Sequence, residues 1–150
     1  MAFRFDVSVD DQRQAVSDPV RPTEFTVIAP DGTGGEWISQ PNDNVLLSLG
    51  SDNSWGTVRF TTTSGNVFCV TIGVQELTGW TDVAANLTYQ ETAAAVGASY
   101  EDTGSLQYGV RIFKPPSVGV RDRTGTGIRS EVGQQTGVGH WPVQITLVDT

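Results

Sequence analysis

The fold is decided by the stretch NVFCVTIGVQELTGWTDVAANLTYQETAAAVGASYED, residues 66–102. Its first part, residues 66–77, carries an apolar residue at every second position. Residues two apart in a strand point to the same face of a sheet, so this spacing predicts one buried face. The apolar residues of that face are Phe68, Val70, Ile72 and Val74. Residues 66–77 are therefore the longest strand that the sequence predicts.

The alternation stops at residue 78, and alanine becomes frequent. This change predicts a short helix near residues 80–86 and a second helix near residues 89–100. Thr88 and Glu91 fit the S/T-x-x-E capping box that marks the start of many helices. A pair of helices is thus expected to interrupt a chain that is otherwise rich in strands.

The chain on either side of this stretch is predicted to be mostly strand. Further strands are expected at residues 3–9, 24–30, 36–40, 44–51, 56–63, 105–113 and 140–148. Residues 11–23 predict a loop because they carry two prolines, and the glycine-rich residues 115–139 predict short strands at best. Many short strands without βαβ alternation favour a mainly β protein, a β-sandwich with a helix pair linking its two sheets. Residues 1–150 are expected to form one domain.

The charge of the chain argues against nucleic acids and anionic membranes as partners. The 150 residues carry a net charge of −8, and Lys114 is the only lysine. A surface that follows phosphates needs a dense basic stripe, which this sequence lacks. The N-terminal residues do not fit a secretory signal, and no apolar run approaches the ~18 residues of a membrane span. A cytoplasmic location is therefore expected.

The sequence offers little for catalysis, metal binding or disulfide formation. Cys69 is the only cysteine and His140 the only histidine, so a Cys–His nucleophile would need these two residues to meet. The patterns G-x-S-x-G, C-x-x-C and H-E-x-x-H are absent. We therefore expect a protein that is not an enzyme and that uses no metal and no cofactor.

Polar loop tips favour a hydroxylated ligand instead. Residues 51–55 and 75–82 combine short polar side chains with Trp55 and Trp80. Such side chains can donate to and accept from sugar hydroxyls, and an aromatic ring can cover the apolar face of a sugar. For both tryptophans, packing in the core is the alternative interpretation. Carbohydrate is thus the ligand class that the composition favours.

Residues 34–101 resemble the fungal fruit-body lectin family. The resemblance lies in GGEW (34–37), VLLSLGSDNSWGTVRF (45–60) and FCVTIGVQELTGWTDVAANLTYQETAAAVGASY (68–100). It implies an actinoporin-like β-sandwich of two sheets joined by a helix-loop-helix. It also implies a non-enzymatic lectin that binds glycans and forms a homo-oligomer, with a tetramer favoured. Such a protein is expected to be stored in the cytoplasm, released on tissue damage and used in defence.

The resemblance implies two sugar sites, of which one is a galactose-type site for galactosides and GalNAc. Its residues in this chain are Ala29, Ser51, Asp52, Gln75 and Glu76. The family has Ser-Gly where this chain has Ser51 and Asp52, and His-Asn where this chain has Gln75 and Glu76. These replacements keep the capacity for hydrogen bonding but change the charge and the reach of the site.

The second implied site is a GlcNAc-type site at Asp82, Val83, Ala84 and Ala85. Asp82 retains the carboxylate of the family, which can accept hydrogen bonds from two sugar hydroxyls. Ala85 lacks the threonine hydroxyl that the family has at this position. The alternative role of Asp82 is to cap the predicted helix or to interact with its macrodipole.

Two other functions fit the same scaffold. The first is a partner-binding module that has kept the sandwich and lost the sugar sites, as the replacements at residues 52, 75, 76 and 85 suggest. The second is an actinoporin-like, membrane-active protein. Such proteins insert an amphipathic N-terminal helix, whereas residues 3–9 predict a strand, so stable membrane insertion is not expected.

Overall fold

The computed structural model describes residues 2–14, 18–41 and 44–149. These ranges contain ten strands and two helices. The strands are β1 (Phe3–Asp11), β2 (Val20–Ile28), β3 (Gly35–Ser39), β4 (Val45–Leu49), β5 (Ser54–Thr62), β6 (Val67–Gln75), β7 (Thr78–Ala84), β8 (Ser117–Arg121), β9 (Gly127–Val132) and β10 (His140–Val148). The helices are α1 (Ala93–Ala98) and α2 (Leu106–Phe113), which lie between β7 and β8 in the chain.

The strands form two sheets, and the helix pair connects one sheet to the other. The six-stranded sheet has the order β3-β4-β1-β10-β9-β8, and the four-stranded sheet has the order β2-β5-β6-β7. The first and last strands, β1 and β10, pair in parallel at the centre of the six-stranded sheet. The mainly β sandwich with a helix-loop-helix between its sheets is therefore confirmed.

The core lies between the two sheets and is built from the alternating apolar residues of their strands. The four predicted residues of β6 all face this core, together with Phe5 of β1, Val58 of β5 and Trp141 of β10. The Phe5 and Trp141 rings stack with centroids 4.9 Å apart. A polar contact joins the two sheets within the core, where the Thr81 and Ser130 hydroxyls lie 2.7 Å apart. Because both hydroxyls are buried, this hydrogen bond satisfies two groups that burial would otherwise destabilise.

The prediction of a helix near residues 80–86 is wrong, because residues 80–84 belong to strand β7. The hairpin between β6 and β7 has a two-residue turn, Glu76-Leu77, and its register pairs Gln75 with Thr78. Both turn residues have positive φ, 51° and 61°, as a type I′ turn requires. The sequence did not reveal this strand because Trp80 lies on its outer face and Thr81 on its core face, so apolar and polar residues do not alternate as in β6.

The helix predicted near residues 89–100 exists but is shorter, because α1 begins only after its N-cap residue Thr92. The Thr92 side chain accepts a hydrogen bond from the backbone N–H of Ala95. The predicted capping pair forms a turn just before the helix, in which the Thr88 N–H donates to Glu91 at 3.0 Å. The capping box thus marked the start of the helix four residues too early.

The prediction of a strand at residues 105–113 is also wrong, because this segment forms helix α2. Its N-cap Ser105 accepts from the Tyr108 N–H at 3.1 Å, and its C-cap Lys114 takes the left-handed conformation. The apolar residues at alternate positions do not share a buried face, since Leu106 is 87% exposed. Arg111 is instead the buried residue of this helix.

Strand β2 begins inside the loop predicted at residues 11–23, part of which lies outside the described ranges. Pro22 fits into this strand because β2 is an edge strand and pairs only with β5. Its register shifts between Pro22 and Glu24. A proline without an N–H is tolerated at an edge or a bulge, which explains why the proline did not end the strand.

Candidate functional site at the loop edge of the four-stranded sheet

The residues of the implied galactose-type site lie at one edge of the four-stranded sheet. Ala29 follows β2, Ser51 and Asp52 precede β5, and Gln75 and Glu76 lie where β6 ends. The register pairs Ile28 with Trp55 and Ser54 with Val74, so these strand ends are level with one another. We call this region, residues 29–34, 50–53 and 75–78, the loop edge.

Hydrogen bonds between neighbouring loops hold the loop edge together. Ser51 Oγ donates to the Thr33 carbonyl at 3.1 Å, and Asp52 Oδ1 accepts from the Leu77 N–H at 3.0 Å. A further hydrogen bond joins Asn53 to Asp31. Asp52, which stands where the family has glycine, therefore supports the strained β6–β7 turn. One of its carboxylate oxygens is already engaged in this contact.

The loop edge carries more negative than positive charge. Asp31, Asp52 and Glu76 contribute three carboxylates. Lys114 lies beside them at the end of α2, with its Nζ 3.6 Å from Glu76 Oε1. This ion pair is partly exposed and contributes little to stability, but it orients a cation next to the sheet end.

Four buried side-chain atoms in the described ranges have no hydrogen-bond partner, and all four belong to this corner of the molecule. They are two acceptors and two donors: Asn53 Oδ1, Gln75 Oε1, Trp80 Nε1 and Arg111 Nε. Buried polar atoms are nearly always paired, with protein groups or with ordered water. Such a concentration of unpaired atoms at one place indicates a site that a polar ligand or bound water completes.

A cluster of aromatic residues forms the base of the loop edge. Trp55, Trp80 and Tyr100 are fully buried on the outer face of the four-stranded sheet, under the helices. Trp55 Nε1 donates to the Gly97 carbonyl of α1 at 2.8 Å. Gly73 lies between the two tryptophans in the register and leaves room for their rings. Both tryptophans are therefore part of the packing, so neither is an exposed platform for a sugar.

The residues of the implied GlcNAc-type site point in different directions, because they belong to a strand. Asp82 lies on the outer face of β7, and Val83 is buried in the core. Ala84 pairs with Cys69, and Ala85 packs partly against the core after the strand ends. Asp82 neither caps a helix nor lies in a first turn, so that alternative is wrong.

Asp82 sits in a half-buried polar environment on that outer face. Its Oδ2 accepts a hydrogen bond from the Tyr100 hydroxyl at 2.8 Å. Across the sheet its neighbour is Thr71, whose hydroxyl lies 2.8 Å from that of Thr57. Burial raises the pKa of the Asp82 carboxyl, and the hydrogen bond from Tyr100 opposes this shift only in part. The Val83 backbone N–H also lowers this pKa as a hydrogen-bond donor, and the carboxylate, with about four acceptor positions, can still accept from a ligand.

The two residues considered for nucleophilic catalysis do not meet. Cys69 lies on β6 of the four-stranded sheet, and His140 starts β10 of the six-stranded sheet. Burial raises the pKa of the Cys69 thiol to about 12, so it stays protonated and unreactive. Within residues 2–14, 18–41 and 44–149, no three His, Cys, Asp or Glu side chains are grouped to hold a metal ion. No helix in these ranges is long and apolar enough to span a membrane.

The fold is that of a known lectin. The chain superposes on the crystal structure of Xerocomus chrysenteron lectin with a TM-score of 0.87 and 24% identity, over 98% of both chains. The wild-type structure of that lectin gives the same TM-score and identity, over 98% of this chain and 99% of the other. At this identity the likeness defines the architecture alone.

The chain belongs to the fungal fruit body lectin family, whose family model matches residues 1–138. It is 31% identical over 75 residues to Boletus edulis lectin, a protein of Boletus edulis. That match covers 50% of this chain and 52% of the relative, so the chain spans about half the length of that relative. The resemblance in the sequence is thereby confirmed.

Sequence reasoning missed three side chains of this corner: Asn53, Lys114 and Arg111. Asn53 lay inside a loop tip that was already considered polar, and its positive φ of 57° is a conformation that asparagine tolerates well. Lys114 was visible only as the single lysine. Arg111 was assigned to a strand, so its burial against Trp55 could not be anticipated.

Proposed function

We propose that this protein is a non-enzymatic, carbohydrate-binding lectin. Its galactose-type site, for galactosides and GalNAc, would be the loop edge with Ala29, Ser51, Asp52, Gln75 and Glu76. Membership of a lectin family and the lectin fold support this proposal. The loop edge itself supports it further, because short polar side chains from three loops meet there.

The observation that carries the proposal is the pair of unpaired acceptors, Gln75 Oε1 and Asn53 Oδ1. A carbonyl oxygen that is buried without a donor destabilises the protein by about 1–3 kcal/mol. Sugar hydroxyls are donors as well as acceptors, and a ring presents several of them in fixed directions. A bound sugar would therefore supply the hydrogen bonds that these two oxygens lack.

The GlcNAc-type site would centre on Asp82, with Val83, Ala84 and Ala85 as flanking residues. Asp82 has an oxygen available to a sugar hydroxyl, while the Tyr100 hydroxyl fixes the orientation of its carboxylate. Val83 would act only through its backbone, because its side chain is buried in the core. The loss of the threonine hydroxyl at Ala85 favours a weaker site than that of the family.

We further propose that the lectin acts as a homo-oligomer, with a tetramer favoured. Single shallow sugar sites bind weakly, and several sites on one particle raise the effective concentration of the second contact. Exposed apolar residues on α2, Leu106 and Phe113, support a surface for self-association. Cytoplasmic storage, release on tissue damage and a role in defence remain predictions.

Titration with individual sugars tests the proposal. Calorimetry with galactose, GalNAc and GlcNAc should detect binding at millimolar concentrations. Gln75→Ala should weaken the galactose-type response and spare the response to GlcNAc, whereas Asp82→Ala should do the reverse. Gln144→Ala, at an exposed position of β10, is a matched control that should change neither. A wild-type protein that binds none of these sugars would exclude the lectin function.

The partner-binding alternative has one observation in its favour, since Asp52 is engaged with the β6–β7 turn and Glu76 with Lys114. A protein that oligomerises and binds no sugar would favour it. The membrane-active alternative is disfavoured because β1 lies between β4 and β10 in the six-stranded sheet. Its residues would have to leave the centre of that sheet before they could insert as a helix.

A further inference from the structure

Arg111 is a buried arginine without an acidic partner. The residue is 8% exposed, and its Nε is buried without a hydrogen-bond partner in the described part of the chain. The guanidinium lies over two aromatic rings, with Cζ 4.8 Å from the centroid of Trp55 and 4.9 Å from that of Tyr108. The rings cover its faces and fix its position, but they leave its buried Nε–H without an acceptor.

A second buried arginine, Arg59, shows how this fold satisfies such a group. Arg59 is 7% exposed and donates to the Glu91 and Tyr89 carbonyls and to the Thr23 hydroxyl. Glu24 lies 3.6 Å from its Nε and balances the charge. A buried charge without such partners is costly. Arg111 is therefore an exception that calls for an acceptor from outside the chain.

A second unpaired donor lies against the same aromatic cluster. Trp80 Nε1 is bonded to Cε2, and Cε2 would lie 2.7 Å from a Cβ added at Gly73. Gln75 is two residues further along β6 and therefore lies on the same face of the sheet as Gly73. Gln75 and Trp80 thus both lie close to Gly73, and Arg111 packs against Trp55, which pairs with Gly73. A ligand that matches them needs an acceptor group of high charge and hydroxyl donors next to it.

We propose that Arg111 forms a subsite for the carboxylate of an acidic sugar, such as a uronic acid, at the loop edge. This inference rests on the proposed sugar binding at that edge. A planar carboxylate can accept two parallel hydrogen bonds from the guanidinium, and such paired, charge-assisted bonds are the strong ones. The ring hydroxyls of the same sugar would donate to Gln75 Oε1 and Asn53 Oδ1.

The acidic residues of the loop edge do not exclude an anionic ligand. Asp52 accepts from the Leu77 N–H, and Glu76 is paired with Lys114. Asp31 bonds the amide of Asn53. Their remaining repulsion acts through solvent, where it is screened over about 8 Å at physiological salt. The buried guanidinium is screened less, so its attraction dominates at short range.

Calorimetric titration with D-galacturonate and D-galactose tests the inference on the wild-type protein. We expect galacturonate to bind about tenfold more tightly than galactose at low salt. This ratio should shrink when the NaCl concentration is raised from about 50 mM to about 200 mM. Galactose binding with no preference for galacturonate would overturn this inference and leave the lectin proposal standing. Failure of both sugars to bind would overturn both.

Substitutions of Arg111 locate the effect. Arg111→Gln should abolish the preference for galacturonate, and Arg111→Lys should restore part of it, because lysine keeps the charge without the planar fork. Arg129→Gln is the matched control, since Arg129 is an exposed arginine on β9 paired with Glu131. It should keep the full preference. Circular dichroism verifies that Arg111→Gln is folded. If the folded variant keeps the preference for galacturonate, the assignment of Arg111 to the carboxylate subsite is contradicted. If Arg111→Gln does not fold, the galacturonate preference of Arg111→Lys decides the assignment.

Discussion

Gly73 has no side chain at the point where the rings of Trp55 and Trp80 approach the sheet. A Cβ at this position would lie 2.7 Å from Trp80 Cε2 and from Trp55 Cβ. We expect Gly73→Ala to lower the free energy of unfolding by about 1–3 kcal/mol, because neither buried ring can move aside. Urea unfolding followed by tryptophan fluorescence measures the change.

Gly34→Ala is the control for this substitution. No atom lies within 4 Å of a Cβ added at Gly34. Its free energy of unfolding should therefore stay within about 0.5 kcal/mol of the wild type. Equal stability of Gly73→Ala and the wild type would show that the tryptophan pair is not packed as described.

Asp82 should make the stability of the fold depend on pH. The pKa of Asp82 is raised in the folded protein, so folding favours its protonated form. The stability gained in this way is fully present below pH 3.8 and is lost as the pH rises through the folded pKa. In Asp82→Asn the amide oxygen can still accept from Tyr100, and no charge forms. The stability of this variant relative to the wild type should therefore increase from pH 4 to pH 7, as urea unfolding at each pH can measure.

Asp82→Ala separates the hydrogen bond from the charge. It leaves the Tyr100 hydroxyl buried without its partner, which should cost about 1–3 kcal/mol at a pH near 4. A stability difference between Asp82→Asn and the wild type that does not change with pH would contradict the raised pKa.

At the scale of elements, the β6–β7 turn is a strained connection. Glu76 and Leu77 both adopt positive φ, which costs a residue with a side chain about 1–2 kcal/mol. Replacing the pair with Asn-Gly, the preferred type I′ sequence, should raise the melting temperature and stabilise the fold by about 1–2 kcal/mol. Loss of the exposed Glu76–Lys114 pair subtracts little from this gain.

Thr78→Gly provides the comparison for the turn replacement. Thr78 begins β7 and pairs with Gln75, so glycine there should weaken the strand. If the Asn-Gly variant is no more stable than the wild type, the positive φ angles of Glu76 and Leu77 do not destabilise the fold as described.

The strands whose apolar core residues alternate with small or polar ones could be predicted from the sequence, and the segment after β6 could not. β6 is buried on both faces, yet its core residues alternate with Cys69, Thr71 and Gly73. β7 carries Trp80 on its outer face and Thr81 on its core face, so its sequence TGWTDVA lacks that alternation. For α2 the alternation of Leu106, Tyr108, Val110 and Ile112 suggested a strand by coincidence. The caps Ser105 and Lys114 are the local features that could have identified the helix.

The position of the candidate site could be predicted from the sequence only through the family resemblance. Ser51, Asp52, Gln75 and Glu76 do meet at the loop edge, because the hairpin registers align their strand ends. The roles of Asp52 and Arg111 depend on contacts between residues 25 or more positions apart. The Asp52 contact depends on how two loops meet, and the Arg111 contact with Trp55 depends on how α2 packs on the sheet; no local pattern of residues encodes either.

At the scale of the whole molecule, β10 connects β1 with β8 and β9, because it lies between β1 and β9 in the six-stranded sheet. The family match ends at residue 138, yet β10 pairs with both β1 and β9. Trp141 of this strand is buried and stacks on Phe5. Trp141→Ala should therefore lower the free energy of unfolding by about 3–5 kcal/mol, measured by chemical denaturation.

Gln144→Ala on the same strand is exposed and should change the stability by no more than about 0.5 kcal/mol. If the two substitutions had equal effects, β10 would not contribute to the core as the structure describes.

The parallel pairing of β1 with β10 also constrains when the protein can reach its native state during synthesis. β1 must wait for β10, because paired residues such as Arg4 and His140 are 136 positions apart in the chain. Until then β1 exposes one unpaired edge next to β4. The six-stranded sheet can therefore be completed only after β10 has left the ribosome, and such long-range pairing makes folding slow. During that delay the exposed edge is open to other strands, so the growing polypeptide has reason to engage a chaperone.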